Sequence, residues 1–113
     1  MMQIPRSLLP HSATQGYGAQ TDDGWGGMSH ASSRALTYVR FEPSSKLITT
    51  KDNKEIKLSA IMFFDCRNSG PAGTTFAIGD QIEKPGGTKY TVVGGVDPIY
   101  DATRPHHCEV ELE

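Results

Sequence analysis

The residues of this chain that could do chemistry are four histidines, two cysteines, one adjacent aspartate pair and a few serine pairs. His11, His30, His106 and His107 are the candidate metal ligands or proton carriers. Neighbouring side chains on a strand point to opposite faces, so His106 and His107 are not expected to meet at one ion. A zinc site drawn from His11, His30 and one of the pair has no supporting ligand spacing. Cys66 and Cys108 form no CxxC, which removes zinc-ribbon and thioredoxin-like readings. Two free thiols, rather than a disulfide, are expected in a reducing compartment. Asp22 and Asp23 stand in a glycine-rich stretch with nothing to desolvate them, so they read as solvated carboxylates rather than an acid–base pair. Ser32-Ser33 and Ser44-Ser45 lack a GxSxG turn and any His or acid in catalytic order. Gly70-Pro71-Ala72-Gly73-Thr74-Thr75 has neither the lysine nor the following helix of a phosphate loop. Tyr17, Trp25, Tyr38, Tyr90 and Tyr100 could stack on single-stranded bases, but no basic groove accompanies them, and core or interface packing is the stronger reading. No catalytic, metal-binding or cofactor-binding residue is assigned, and an enzyme is not expected.

The elements that would position these residues belong to one small domain spanning 1–113. The chain has 113 residues, enough for one domain. Its 11 Lys and Arg against 13 Asp and Glu leave a net charge of -2, unlike the basic excess of a nucleic-acid module or a polybasic membrane-surface protein. Its 12 glycines and 7 prolines are too many breakers for a helical bundle. No window reaches the length of a membrane helix. Pro5 and Pro10 interrupt any secretory signal at the start, so a protein made in the cytoplasm is expected.

Along the chain, residues 1–14 read as an extended N-terminal arm or edge strand, with Leu8 and Leu9 flanked by prolines. Residues 15–34 hold five glycines, Trp25 and little apolar periodicity, which predicts a long flexible loop or hairpin tip. Strands are predicted at 35–41 and 46–50 from their β-branched and aromatic content. Residues 55–65 read as one strand: Ile56, Leu58, Ala60, Met62 and Phe64 alternate with a set that is polar first and apolar at Ile61 and Phe63. That pattern predicts a strand half-exposed at its start and buried on both faces at its end. Residues 76–83 and 88–93 flank a turn at Lys84-Pro85-Gly86-Gly87, a predicted hairpin. Residues 96–101 run into a loop that ends at Pro105. In the last strand Cys108, Val110 and Leu112 alternate with Glu109, Glu111 and Glu113. The expectation is an all-β fold, a small β-barrel of about six or seven short strands with an arm and a long loop. At this length the core is small, and a partner would add stability.

Several stretches in order carry a resemblance. They are Ile4-Pro5 with Leu8 to Thr14, Val39-Arg40-Phe41-Glu42-Pro43-Ser44-Ser45-Lys46, and Phe63-Phe64-Asp65-Cys66-Arg67-Asn68-Ser69. Further on come Gly79-Asp80-Gln81-Ile82, Gly86-Gly87 with Tyr90-Thr91-Val92-Val93, Val96-Asp97-Pro98-Ile99-Tyr100-Asp101, and the closing His106 to Leu112. Together they resemble the small head–tail joining, stopper-like "minor capsid protein" group of tailed phages and prophages of Gram-positive bacteria. The resemblance spans most of the chain outside 15–34. It implies a small β-barrel that forms a ring at the head–tail connector of the virion, closes the DNA-filled head and docks the tail. The implied partners are neighbouring copies of itself, the portal or adaptor side, and tail-side connector proteins. Packaged DNA would lie near without sequence-specific binding, and no membrane is involved. The resemblance brings no cofactor and no catalytic residue.

Candidate assembly contacts are Tyr17, Asp22, Asp23 and Trp25 in the glycine-rich segment, which is expected to be mobile alone and to order on assembly. Lys84, Pro85, Gly86 and Gly87 at the hairpin tip are a second set. Two other functions are weighed against this one. A barrel binding single-stranded nucleic acid would show affinity falling steeply with salt. An enzyme subunit using the histidines would carry stoichiometric metal.

Overall fold

The computed structural model describes residues 4–22, 28–50 and 52–113. A single 3-10 turn, Arg6–Leu8, precedes nine strands, and no α-helix occurs among the described residues. The strands are β1 (His11–Asp22), β2 (Met28–Pro43), β3 (Leu47–Thr49), β4 (Glu55–Lys57), β5 (Ala60–Asp65), β6 (Gln81–Glu83), β7 (Lys89–Gly94), β8 (Ile99–Asp101) and β9 (Arg104–Leu112). The main sheet runs β5-β2-β1-β6-β7-β9-β8, and β5 also pairs with β9. That last pairing closes six antiparallel strands into a barrel and leaves β8 as an extra strand beside β9. Closure removes the exposed edges that an open sheet of this size would carry. β3 and β4 form a separate two-stranded hairpin.

Period-2 alternation explains the core. Ala60, Met62 and Phe64 from β5 and Cys108, Val110 and Leu112 from β9 point inward, joined by Leu36, Val39, Phe41, Ile82 and Val92. The register pairs Phe64 with Cys108 and Met62 with Val110, so the two inward rows lie side by side on the inner wall of the barrel. Each such buried side chain contributes about 1.5–3 kcal/mol by leaving water. The glutamates alternating with them on β9 remain on the outside.

Several sequence expectations are corrected. Of the two expectations for 15–34, a long loop or a hairpin tip, the pairing supports the hairpin and corrects the loop: 15–22 continue β1 and 28–34 begin β2, paired from Gln15↔Arg34 to Asp22↔Met28. The alternation is missing because this ribbon extends past the barrel, and Tyr17, Gly18 and His30 to Arg34 are half-buried or exposed there. β1 pairs with β6 only over 14–16, and β2 pairs with β5 only over 39–43. A bulge interrupts the ribbon between Tyr17 and Gln20, and Gly18 takes φ 84° there, a conformation that favours glycine.

The N-terminal region is likewise different from a free arm. Residues 11–14 are the start of a central barrel strand, because Ala13 belongs inside. Residues 4–10 lie against the wall and bury Leu9. The predicted strand over 55–65 breaks at Leu58–Ser59, where Leu58 N–H donates to Lys46 and Ser59 N–H to Leu112. Ile61 and Phe63 are half-buried rather than buried. In the predicted 76–83 strand only 81–83 is strand, since Asp80 binds back to Ala77 N–H and turns the chain. Residues 99–101, for which no strand is predicted, are paired as β8, and the expected loop after them shortens to 102–103 because Arg104 and Pro105 already belong to β9.

β2 serves both the ribbon and the barrel, and a second bulge lets it bend between them. The register shifts between His11↔Val39 and Ala13↔Leu36, and Tyr38 stands at φ 54°. A bulky residue seldom adopts this conformation. Its surroundings hold it: Ser69 Oγ donates to the Tyr38 carbonyl, and Thr37 and Gly70 exchange two backbone hydrogen bonds of 3.0 Å. The Arg6 guanidinium also lies 4.4 Å from the Tyr38 ring centre.

Candidate functional site

The two expected contact sets fall at opposite ends of the barrel. Thr14 lies opposite Glu83, so the Lys84–Gly87 tip sits beside the start of β1. Tyr17 and Asp22 lie on the ribbon that β1 forms at its other end. Eight residues of strand separate Thr14 from Asp22, roughly 27 Å at strand rise. Asp23 and Trp25 lie outside the described residues. Asp22 ends β1 opposite Met28.

A buried polar network roots the ribbon. Gln15 is fully buried on β1. Its Nε2 donates to the Thr75 carbonyl and to Asp80 Oδ2, both at 2.9 Å, and its Oε1 accepts from Arg34 Nε at 2.9 Å. Asp80 Oδ2 also accepts the Ala77 N–H at 2.9 Å. One amide thus joins β1, β2 and the 75–80 turn. Arg34 lies 4.0 Å over the Tyr17 ring, a cation–π contact at the ribbon's base. His30 adds a second tie: its Nε2 donates to the Gly79 carbonyl at 2.9 Å.

Past this base the outer edges of both ribbon strands have no strand partner among the described residues, apart from the Thr37–Gly70 bridge. Unpaired strand edges present rows of N–H and C=O groups that another chain can pair with. At the other end, Lys84 N–H donates to Thr88 and Gly87 N–H to Lys84, closing the tip, with Pro85, Gly86 and Gly87 exposed. The Lys84 ammonium folds back to 4.9 Å from the Phe41 ring centre, so this lysine packs against the barrel rather than reaching outward.

The chemical candidates find structural employment. His11 Nδ1 accepts the Phe41 N–H at 3.0 Å. His106 and His107 do meet, against expectation, with their Nδ1 atoms 2.7 Å apart. His106 is the extra residue of a bulge in β9, between the pairs Ile99–His107 and Tyr100–Pro105, and the extra twist of a bulge turns neighbouring side chains toward each other. His107 Nε2 lies 3.1 Å from Glu109 Oε2. No group of three or more His, Cys, Asp or Glu able to hold a metal occurs among the described residues. Cys66 and Cys108 are free thiols that lie close together. Burial, then the nearby Cys66 and Asp97, push the Cys108 thiol up to about 11. Burial, then Asp65, raise Cys66 as well. Both line an apolar cavity of about 260 Å³ that carries no other acid or base. The aromatic residues have separate partners: Tyr17 lies under Arg34, Tyr38 under Arg6, Tyr90 stacks on Phe41, and Tyr100 is exposed.

Sequence reasoning missed the role of Asp65. Its carboxylate is buried and accepts four-residue-loop and arm N–H groups together: Arg67 and Asn68 on Oδ1 at 2.8 Å, and Ile4 on Oδ2 at 2.7 Å. Asn68 Nδ2 returns a bond to the Ile4 carbonyl at 2.7 Å. An acidic residue ending an apolar strand just before Asn and Ser was the available signal, because such residues bind nearby backbone N–H groups.

The chain matches the family described as "Minor capsid protein" over residues 5–112. No curated protein and no solved structure matches it. The chain belongs to the minor capsid protein family, which makes it a structural component of a virion.

Proposed function

We propose that this minor capsid protein is a subunit of the phage head–tail connector, where copies of it form a ring that closes the DNA-filled head and docks the tail. The observation that carries the reading is the free-edged β1–β2 ribbon, held rigidly at its base by Gln15, Arg34 and Asp80 and extending beyond a closed barrel. The closed barrel leaves few strand edges free, and the ribbon's are the longest of them, so the ribbon is the part built to pair with other chains. Tyr17, Asp22, Asp23 and Trp25 belong to this contact, and the Lys84–Gly87 tip faces a different neighbour at the opposite end. Two contact sets at opposite ends suit a layer between a portal or adaptor ring and a tail-side ring. The role is structural, with no catalysis and no cofactor, and packaged DNA passes without being read.

The test replaces residues 18–31 by Asn-Gly, which joins the paired residues Tyr17 and Ser32 through a two-residue hairpin turn. The barrel should keep its thermal midpoint to within a few degrees. Particles carrying this variant should accumulate as unjoined heads and tails. An unchanged yield of infectious particles would overturn the role of the ribbon.

A further inference from the structure

We propose that Cys66 and Cys108 are an oxidative modification site, at which a small disulfide oxidant joins the two thiols into a bridge across the seam that closes the barrel. The inference goes beyond the connector reading and holds wherever in the particle the chain sits.

The β5–β9 pairing is the one that closes the main sheet. Its ladder ends at the cysteines. Phe64 lies opposite Cys108, and Asp65 opposite His107 is the last pair. One step further, Cys66 N–H donates to the His106 carbonyl at 2.9 Å. Cys66 stands two residues beyond Phe64, so its side chain returns to the face that carries Phe64 and Cys108. The two thiols are therefore diagonal neighbours across the seam, and both line the same cavity of about 260 Å³.

The Cβ atoms of a disulfide stand about 3.8 Å apart, closer than a diagonal pair in a flat sheet. The surroundings allow that approach. Cys66 begins the turn after β5, outside the strand itself. His106, between the two cysteines in the pairing, is the extra residue of a bulge, which adds local twist. The cavity gives both sulfurs room to swing.

Exposure sets the order of the reaction. Cys66 is half-buried and open to solvent, whereas Cys108 is only 4% exposed. Cys66 Sγ, as the thiolate, attacks one sulfur of a low-molecular-weight disulfide, whose S–S bond breaks and releases one small thiol. Cys108 Sγ then attacks Cys66 Sγ and expels the second small thiol. The two cysteine sulfurs are oxidised, the small disulfide is reduced to two thiols, and these carry away the two protons. Burial raises both cysteines, which keeps the thiolate scarce and the exchange slow. In a reducing cytoplasm the pool of small thiols runs the exchange backwards. A virion component then passes to an oxidising exterior, where the bridge closes. It ties off a chain loop containing β6, β7 and β8, and closing a long loop stabilises by restricting the unfolded chain.

The test treats the folded full chain at pH 8 with hydroxyethyl disulfide and follows it by mass spectrometry and thermal melting. The wild type should lose two hydrogens, and peptide mapping without reductant should join Cys66 to Cys108. Its thermal midpoint should rise by about 10 °C and return on addition of dithiothreitol. Cys108→Ser should stop at a stable mixed disulfide on Cys66, and Cys66→Ser should leave Cys108 unmodified. A wild type that keeps both thiols, holds a mixed disulfide on Cys66, links two chains, or closes the bridge only in denaturant would overturn the site. A bridge that lowers the midpoint would overturn its role as a lock on the barrel. None of these failures touches the connector reading, which particle assembly tests separately.

Discussion

Replacing Gln15 by leucine removes the amide that binds three elements while keeping a side chain of similar size at a fully buried position. Asp80 Oδ2, on a residue that is itself buried, loses one of two donors, and the Thr75 carbonyl loses its Nε2 donor. Arg34 Nε loses its acceptor but is half-buried and regains water. A hydrogen bond to a charged group contributes about 1.5–3 kcal/mol and an orphaned neutral acceptor costs about 1–3 kcal/mol. Burying leucine offsets part of this, which leaves a net loss of about 3 kcal/mol. For a chain of this length that is a fall in thermal midpoint of roughly 12 °C. Far-ultraviolet circular dichroism on the full chain at neutral pH reads it directly. Ser33→Ala, at an exposed position on the adjacent strand, is the control and should stay within about 0.5 kcal/mol. A Gln15→Leu variant that melts within about 4 °C of wild type would refute the network as the root of the ribbon.

Three further outcomes follow from the same structure. Gly95→Ala should destabilise by more than the roughly 1–2 kcal/mol of a left-handed residue, because its Cβ also meets the Glu109 carbonyl; denaturant midpoints check this. Asp65→Ala leaves the Ile4, Arg67 and Asn68 N–H groups without their carboxylate, so trypsin should cut after Arg6 faster than in wild type, with the products read by mass spectrometry. Cys108 should resist alkylation at pH 8 until the protein is unfolded, because its thiol is held at about 11. The folded state keeps that proton where the unfolded chain releases it. Stability from this group is therefore complete below the ordinary thiol range and declines as pH rises from about 9 toward 11, a decline that midpoints measured in a Cys108→Ala background should show more weakly.

The barrel strands were legible in the sequence because their inward rows are apolar at every second residue, as in Cys108, Val110 and Leu112 or Ala60, Met62 and Phe64. The Pro-Gly-Gly turn was legible because both glycines take positive φ, at 101° and 99°. The ribbon was hidden for the opposite reason. Tyr17, Gly18 and His30 to Arg34 are half-buried or exposed, so they leave no apolar period to read, and the glycines of 15–34 resemble a loop. β8 was hidden by its length of three residues and by Pro98 beside it. Neither the Gln15 network nor the Asp65 clamp could be read from local pattern, since each joins residues about sixty positions apart. The meeting of His106 with His107 depended on a bulge in β9 itself, at His106. Of the expected contacts, Tyr17 lies at the ribbon base and Lys84 folds onto the barrel, a distinction that only packing could make.

The central claim is tested most directly by deleting the coding sequence from the phage or prophage that encodes it and imaging the particles by electron microscopy. The account predicts DNA-filled or leaked heads accumulating beside free, complete tails. Normally joined, filled particles would contradict it.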